Sequence, residues 1–134
     1  MIKVPIKYTD YDGNEREEDY RFNLSKAELI ELEYTMPGGL KSYIEKIVQS
    51  KDTVEIYKMF AYVIDKAYGV KSLDGKSFKK SPEITKEFKE TEAYSELLMK
   101  IISDAAFAAK FINEILPKDI DVSNANNAKV LTMK

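Results

Sequence analysis

Residues 52–67 have the sequence DTVEIYKMFAYVIDKA, the most apolar helical pattern in the chain. Asp52 and Glu55 have the spacing of a capping box, so the pattern predicts a helix that begins after Asp52. Apolar side chains lie on most sides of this helix, and such a helix is normally central in a small bundle. Gly69 is predicted to end it. The sequence therefore predicts a fold built around this helix.

A β-hairpin is predicted upstream of that helix. Apolar and polar residues alternate over residues 2–8, which is typical of a half-buried strand, and Pro5 places that strand at the edge of a sheet. Residues 12–14 (DGN) are a turn signal, and the alternation resumes over residues 15–22. The predicted hairpin spans residues 2–22.

The rest of the ordered chain is predicted to be helical, within residues 25–116. Residues 94–116 fit one unbroken helix with a single apolar stripe that includes Ala105, Ala108 and Ile112, while residues 70–80 predict a loop or a small hairpin. Helix starts are indicated by Ser25 with Glu28, by Ser81 before Pro82, and by Thr91.

The predicted fold class is mostly α (α+β): an N-terminal β-hairpin followed by a small bundle of about five to six helices. We expect a single globular domain over residues 1–117. Residues 118–134 show no sustained period and contain three asparagines, so they are predicted to be a flexible tail.

Composition argues against catalysis. The 134 residues include no Cys and no His, which excludes thiolate and imidazole chemistry and nearly all transition-metal sites. Near matches to a phosphate loop and to calcium loops fail on spacing. A small enzyme using carboxylates or Lys stays a minor alternative. We therefore predict no catalytic residues, no cofactor and no metal.

Charge and hydropathy exclude two further classes of partner. A net charge of −2 argues against a nucleic-acid binder, and the longest apolar run, six residues at Met59–Ile64, is far too short to span a membrane. The N-terminus has no apolar signal segment, so we expect a cytoplasmic protein.

Charge is unevenly distributed along the chain. Residues 10–34 have a net charge of −6, and residues 70–89 have a net charge of +3. Two solvated surfaces are the simplest interpretation. The alternative is that the two regions attract each other between copies of the chain and promote self-association.

Phe107 and Phe111 are the candidate partner-binding residues. If residues 94–116 form one helix, both rings lie outside its apolar stripe and, as i,i+4 neighbours, form an exposed aromatic patch. The alternative is that the chain breaks at Ser103 and Asp104 and that both rings turn inward.

The chain resembles the tail assembly chaperones of long-tailed bacteriophages and their prophages in Gram-positive hosts. The resemblance covers roughly residues 6–117. It is carried by residues 7–13 (KYTDYDG), 22–29 (FNLSKAEL), 91–97 (TEAYSEL) and 108–113 (AAKFIN).

This resemblance implies a function in phage assembly. Such proteins are expected to bind the tape measure protein in the host cytoplasm, keep it soluble, help to recruit tail tube subunits, and be absent from the mature virion. Many such phages also make a longer product by frameshifting. The alternative is a structural tail completion or connector protein that stays in the particle.

Overall fold

The computed structural model describes residues 1–36 and 38–117. Strand β1 (Ile2–Thr9) and strand β2 (Glu15–Phe22) form the predicted antiparallel hairpin, with Ile2 opposite Phe22 and Thr9 opposite Glu15. In the turn, the Asp10 carboxylate accepts the backbone N–H groups of Asp12 and Asn14. The hairpin prediction is confirmed.

Two short strands extend this hairpin into a larger sheet. Strand β3 (Tyr68–Lys71) pairs antiparallel with β2, and β4 (Phe78–Lys79) pairs with β3, so the order is β1-β2-β3-β4. The possible small hairpin within residues 70–80 is thereby confirmed. The extension of the sheet was missed because strands of four and two residues are too short to show a period of two.

Six helices are present in the described part of the chain, so the predicted α+β class is confirmed. Ser25 and Glu28 form the predicted reciprocal capping box, and the Asp52 carboxylate accepts two backbone N–H groups at the start of α3. The helices are α1 (Lys26–Thr35), α2 (Gly39–Ser50), α3 (Thr53–Ala67), α4 (Pro82–Lys89), α5 (Glu92–Ser103) and α6 (Ala105–Ile115).

The prediction that Gly69 ends the central helix is wrong. Helix α3 ends at Ala67, and Gly69 lies inside β3 opposite Arg21. A Cβ at this position would lie 2.6 Å from Cε2 of Phe78, well inside van der Waals contact. Glycine is therefore required here because the Phe78 ring of β4 lies so close to the backbone, and not because a helix ends at this position.

The prediction of one unbroken helix over residues 94–116 is also wrong. Helix α5 ends at Ser103 and α6 begins at Ala105, with Asp104 between them in an extended conformation. The Asp104 carboxylate accepts the backbone N–H of Phe107 at 3.0 Å and so caps α6. Asp competes with the helical backbone for such hydrogen bonds, which explains the break.

The core joins the sheet to the helices through aromatic rings. Phe22 of β2 is fully buried, and its ring centroid lies 5.2 Å from that of Phe111 in α6 and 5.9 Å from that of Phe88 in α4. The hydrophobic core includes side chains from β1, β2, β3 and all six helices. The predicted flexible tail, residues 118–134, lies outside the described residues.

Candidate functional site

An apolar groove of about 640 Å³ lies on the surface of the described chain. We call it the α2–α6 groove, because these two helices supply most of its apolar lining, with further side chains from α3 and α5. Its apolar lining residues are Leu40, Ile44 and Val48 of α2, Ile56 and Phe60 of α3, Ile101 and Ile102 of α5, and Ala105, Ala108, Ala109, Ile112, Leu116 and Pro117 in and after α6.

The groove exists because α6 presents small side chains to it. Ala105, Ala108 and Ala109 have the i,i+3,i+4 spacing that places residues on one face of a helix. The methyl groups of alanine leave space that larger side chains would fill. The three alanines therefore form a shallow wall that another helix or strand can approach closely.

Helix α2 supplies apolar side chains that the core covers only in part. Only Gly39 and Leu40 of its twelve residues are buried, and Val48 is 48% exposed. Ile102 on the α5 side of the groove is 45% exposed. Apolar surface left open in this way is typical of a binding site for another polypeptide.

A side chain of α1 fixes the start of α2. Gly38 is the N-cap residue of α2 and has no side chain to accept a hydrogen bond. Oε1 of the buried Glu33 accepts the backbone N–H of Leu40 instead, at 3.1 Å. A carboxylate is also favoured at a helix N-terminus by the helix dipole. This contact anchors α2 at one end, beside Leu40 at the groove.

The structure does not place Phe107 and Phe111 in an exposed aromatic patch. Phe111 is 0% exposed and packs against Phe22, so the alternative of a break before α6 is correct for this ring. Phe107 is half-buried against the core, and Nζ of Lys100 lies 4.4 Å from its ring centroid. A partner could contact Phe111 only after the core opened.

The residues that the sequence interpretation missed are those of the groove. The signal was present, because Leu40, Ile44 and Val48 recur every four residues and Ala105 and Ala108 lie in the predicted apolar stripe. Such a stripe is typical of the side of a helix that faces the core. The pattern alone does not show whether another element of the same chain covers it.

The two charged regions of the sequence meet inside one molecule. Nζ of Lys80 lies 2.8 Å from Oε1 of Glu28 and also donates to the carbonyl oxygens of Asn23 and Lys66, each at 2.7 Å. Burial raises the pKa of Glu28, but the hydrogen bonds from Lys80 and Ser25 outweigh it and leave that pKa lowered. Part of the opposite charge is therefore paired within the chain. Attraction between copies stays a prediction.

A second polar cluster lies between the strands of the hairpin. Glu18 accepts hydrogen bonds from the hydroxyl groups of Tyr8 and Tyr20 and from Arg16. The hydrogen bond from Tyr8 is the main cause of the lowered pKa of Glu18, while burial raises the pKa of Tyr20. Glu18 therefore stays ionised and Tyr20 stays protonated near neutral pH. The hydrogen bond from Tyr8 to Glu18 links strand β1 to strand β2 and so stabilises the hairpin.

Metal and membrane sites are not found in the described residues. Within 1–36 and 38–117, no group of three or more acidic side chains is placed to hold a metal ion. No helix in these same ranges has both the length and the apolar character needed to cross a bilayer.

An apolar groove on a compact α+β scaffold defines the class of small protein-binding modules. The comparisons with known proteins give the family. The model of a family described as "Phage tail assembly chaperone" matches residues 1–132, and the chain belongs to that family. This membership indicates a role in phage tail assembly. No curated protein and no solved structure matches the chain.

Proposed function

We propose that this chain binds the tape measure protein in the bacterial host cytoplasm and keeps it soluble until the tail tube surrounds it. In this proposal the chain also helps to recruit tail tube subunits and is absent from the finished virion. Family membership supports the assembly role. The observation that carries the binding role is the α2–α6 groove, an apolar surface left uncovered by the described residues.

The chemistry of the groove suits an amphipathic helix. A tape measure protein is a long helical chain that exposes apolar stripes until the tube encloses it. The alanines of α6 allow close approach, and Val48 and Ile102 are exposed enough to pack against an incoming apolar side chain. Such a contact buries a modest area, so it is reversible, as a chaperone that leaves the particle requires.

Two exposed apolar residues of α5 provide a matched test. Ile102 lines the groove and is 45% exposed, whereas Met99, almost one turn away on the same helix, is 68% exposed and does not line it. We expect Ile102→Glu to weaken binding about tenfold, because a carboxylate in an apolar contact costs at least about 1.4 kcal/mol. Met99→Glu adds the same charge outside the groove and should bind as the wild type does.

The measurement is co-expression with the tape measure protein encoded in the same genome. Wild-type chain and Met99→Glu should keep the tape measure protein in the supernatant and co-purify with it, and Ile102→Glu should not. Equal solubilisation by both variants would show that the groove is not the binding site. If both variants still bind the tape measure protein, and mass spectrometry finds this chain in purified virions, the result would instead support a structural connector.

A further inference from the structure

We propose that residues 118–134 of this same chain occupy the α2–α6 groove, with Val130, Leu131 and Met133 packed against it, until a partner displaces them. One part of this inference rests on the proposed function, namely that the segment competes with the tape measure protein for the groove. Its first part, the docking of the segment, is independent of which partner binds. The segment is thus the intramolecular occupant of the groove.

The position where the described chain ends supports this occupant. Leu116 and Pro117 both line the groove, so the described chain ends at the groove itself. Twelve residues lie between Pro117 and Val130, and the thirteen steps from one to the other, at about 3.3 Å each, can extend over roughly 43 Å. The twelve residues of α2 measure only about 18 Å at 1.5 Å per residue. The segment can therefore reach every part of the groove.

The composition of the segment fits an apolar groove. Val130, Leu131 and Met133 lie within four residues of one another, in a stretch otherwise rich in polar residues. The segment contains three lysines and two aspartates, and the groove lining contains one lysine and one glutamate, Lys41 and Glu45. Neither side has a charge excess that would repel the other strongly. Apolar contacts can therefore determine the interaction.

The tether favours this segment over a second copy of the chain. A short linker holds the segment near the groove at an effective concentration of roughly millimolar, so the segment needs far less affinity for the groove than a second copy at micromolar concentration would. The family match extends to residue 132, so Val130 and Leu131 belong to the matched domain and not to an unrelated extension.

A nitroxide spin label on the full chain tests the docking directly. The chain contains no Cys, so Ala128→Cys gives a single labelling site next to the three apolar residues. We expect about a threefold or greater loss of methyl NMR signal at Ile44 and Ile112 in the groove, because a tethered segment stays docked most of the time. Val70 of β3, outside the groove, should keep its signal.

Charged substitutions in the segment separate specific docking from proximity. Leu131→Glu with Met133→Glu should restore the signals of Ile44 and Ile112, whereas Asn126→Glu with Asn127→Glu adds the same charge and should not. Unchanged groove signals in the labelled wild type would overturn the proposal. A mixed sample, in which one chain carries the nitroxide and the other carries only the NMR isotopes, tests for a second copy. Signal loss only in this mixed sample would also overturn the proposal, because a second copy would then be the occupant.

The competition with the partner is measured separately. If the segment covers the groove, Leu131→Glu with Met133→Glu should tighten binding of the tape measure protein by about two- to tenfold, since more molecules have an open groove. Signal loss in the spin-label experiment without this tightening would leave the docked segment established and would count against the groove as the tape measure site. The two proposals therefore fail in different ways.

Discussion

The two faces of helix α6 meet very different surroundings. One face packs Phe111 and Ile115 into the core, where both are 0% exposed. The other face presents alanines to the α2–α6 groove, where Val48 of α2 and Ile102 of α5 stay nearly half exposed. One helix of eleven residues thus belongs both to the buried core and to an open apolar groove.

The difference follows from which side chains fill the space. On the core side, the rings of Phe22, Tyr68 and Phe88 interlock, with Tyr68 stacked on Phe88 at 4.4 Å between centroids. On the groove side, small alanines face the aliphatic side chains of α2, and the space between them is open. Tight packing and open apolar surface therefore lie on opposite faces of α6, which allows each to be perturbed separately.

The largest expected effect is at Phe111. Phe111→Ala should lower the free energy of unfolding by about 3–5 kcal/mol, because it removes a fully buried ring and leaves a cavity. Phe107→Ala should cost about half as much, since Phe107 is only partly buried. Urea unfolding followed by circular dichroism measures both.

A gentler substitution keeps this comparison measurable if Phe111→Ala does not fold. Phe111→Leu should still cost about 1–2 kcal/mol, because the cavity is smaller. Equal destabilisation at positions 107 and 111 would show that the two rings are packed alike.

The parts of this fold that the sequence predicted are those with local signals. The hairpin follows from alternation and a turn, and Ser25, Asp52 and Ser81 cap their helices as predicted because capping depends on residues within one turn. The break at Asp104 was open to prediction as an Asp cap. The apolar stripe continues across residue 104, however, and therefore predicts a single helix over residues 94–116.

The groove could not be predicted, because it depends on tertiary placement. Ala105 and Ala108 have the pattern of core residues, and only the position of α2 shows that Ala105 stays exposed and that Ala108 is covered only in part. Likewise, β3 becomes a strand through its pairing with β2, not through its own four residues. Periodicity reports which face is apolar, and packing decides what covers that face.

The second prediction concerns the stability of α2 relative to α5. Backbone amides of residues 43–48 should exchange with deuterium about 30-fold faster than those of residues 97–102, a difference of roughly 2 kcal/mol in opening free energy. Only two residues of α2 are buried, whereas α5 buries Ala93, Leu97, Leu98 and Ile101. Hydrogen exchange by NMR in native conditions measures it. Equal protection of the two helices from exchange would contradict this prediction, because it would mean that α2 opens as rarely as α5.

The smallest expected effect concerns Lys80, whose ammonium group connects the residue after β2, helix α1 and helix α3. Lys80→Met removes hydrogen bonds to Asn23, Glu28 and Lys66 and should lower the free energy of unfolding by about 1.5 kcal/mol at pH 7. Lys79→Met, at the exposed neighbouring position, is the matched control and should change stability by less than about 0.5 kcal/mol.

The pH dependence separates the ion pair from the lost packing of the Lys80 side chain. The pKa of Glu28 is lower in the folded chain than its ordinary value of 4.5, so the unfolded chain binds more protons as the pH falls through that value. The stability that Glu28 contributes is thus fully present above pH 4.5 and is lost as the pH falls through the folded pKa. Wild type and Lys80→Met should therefore converge in acid, in denaturant titrations between pH 7 and pH 3. A gap that stays constant over this range would assign the effect to the buried methylenes of Lys80 and not to its charge.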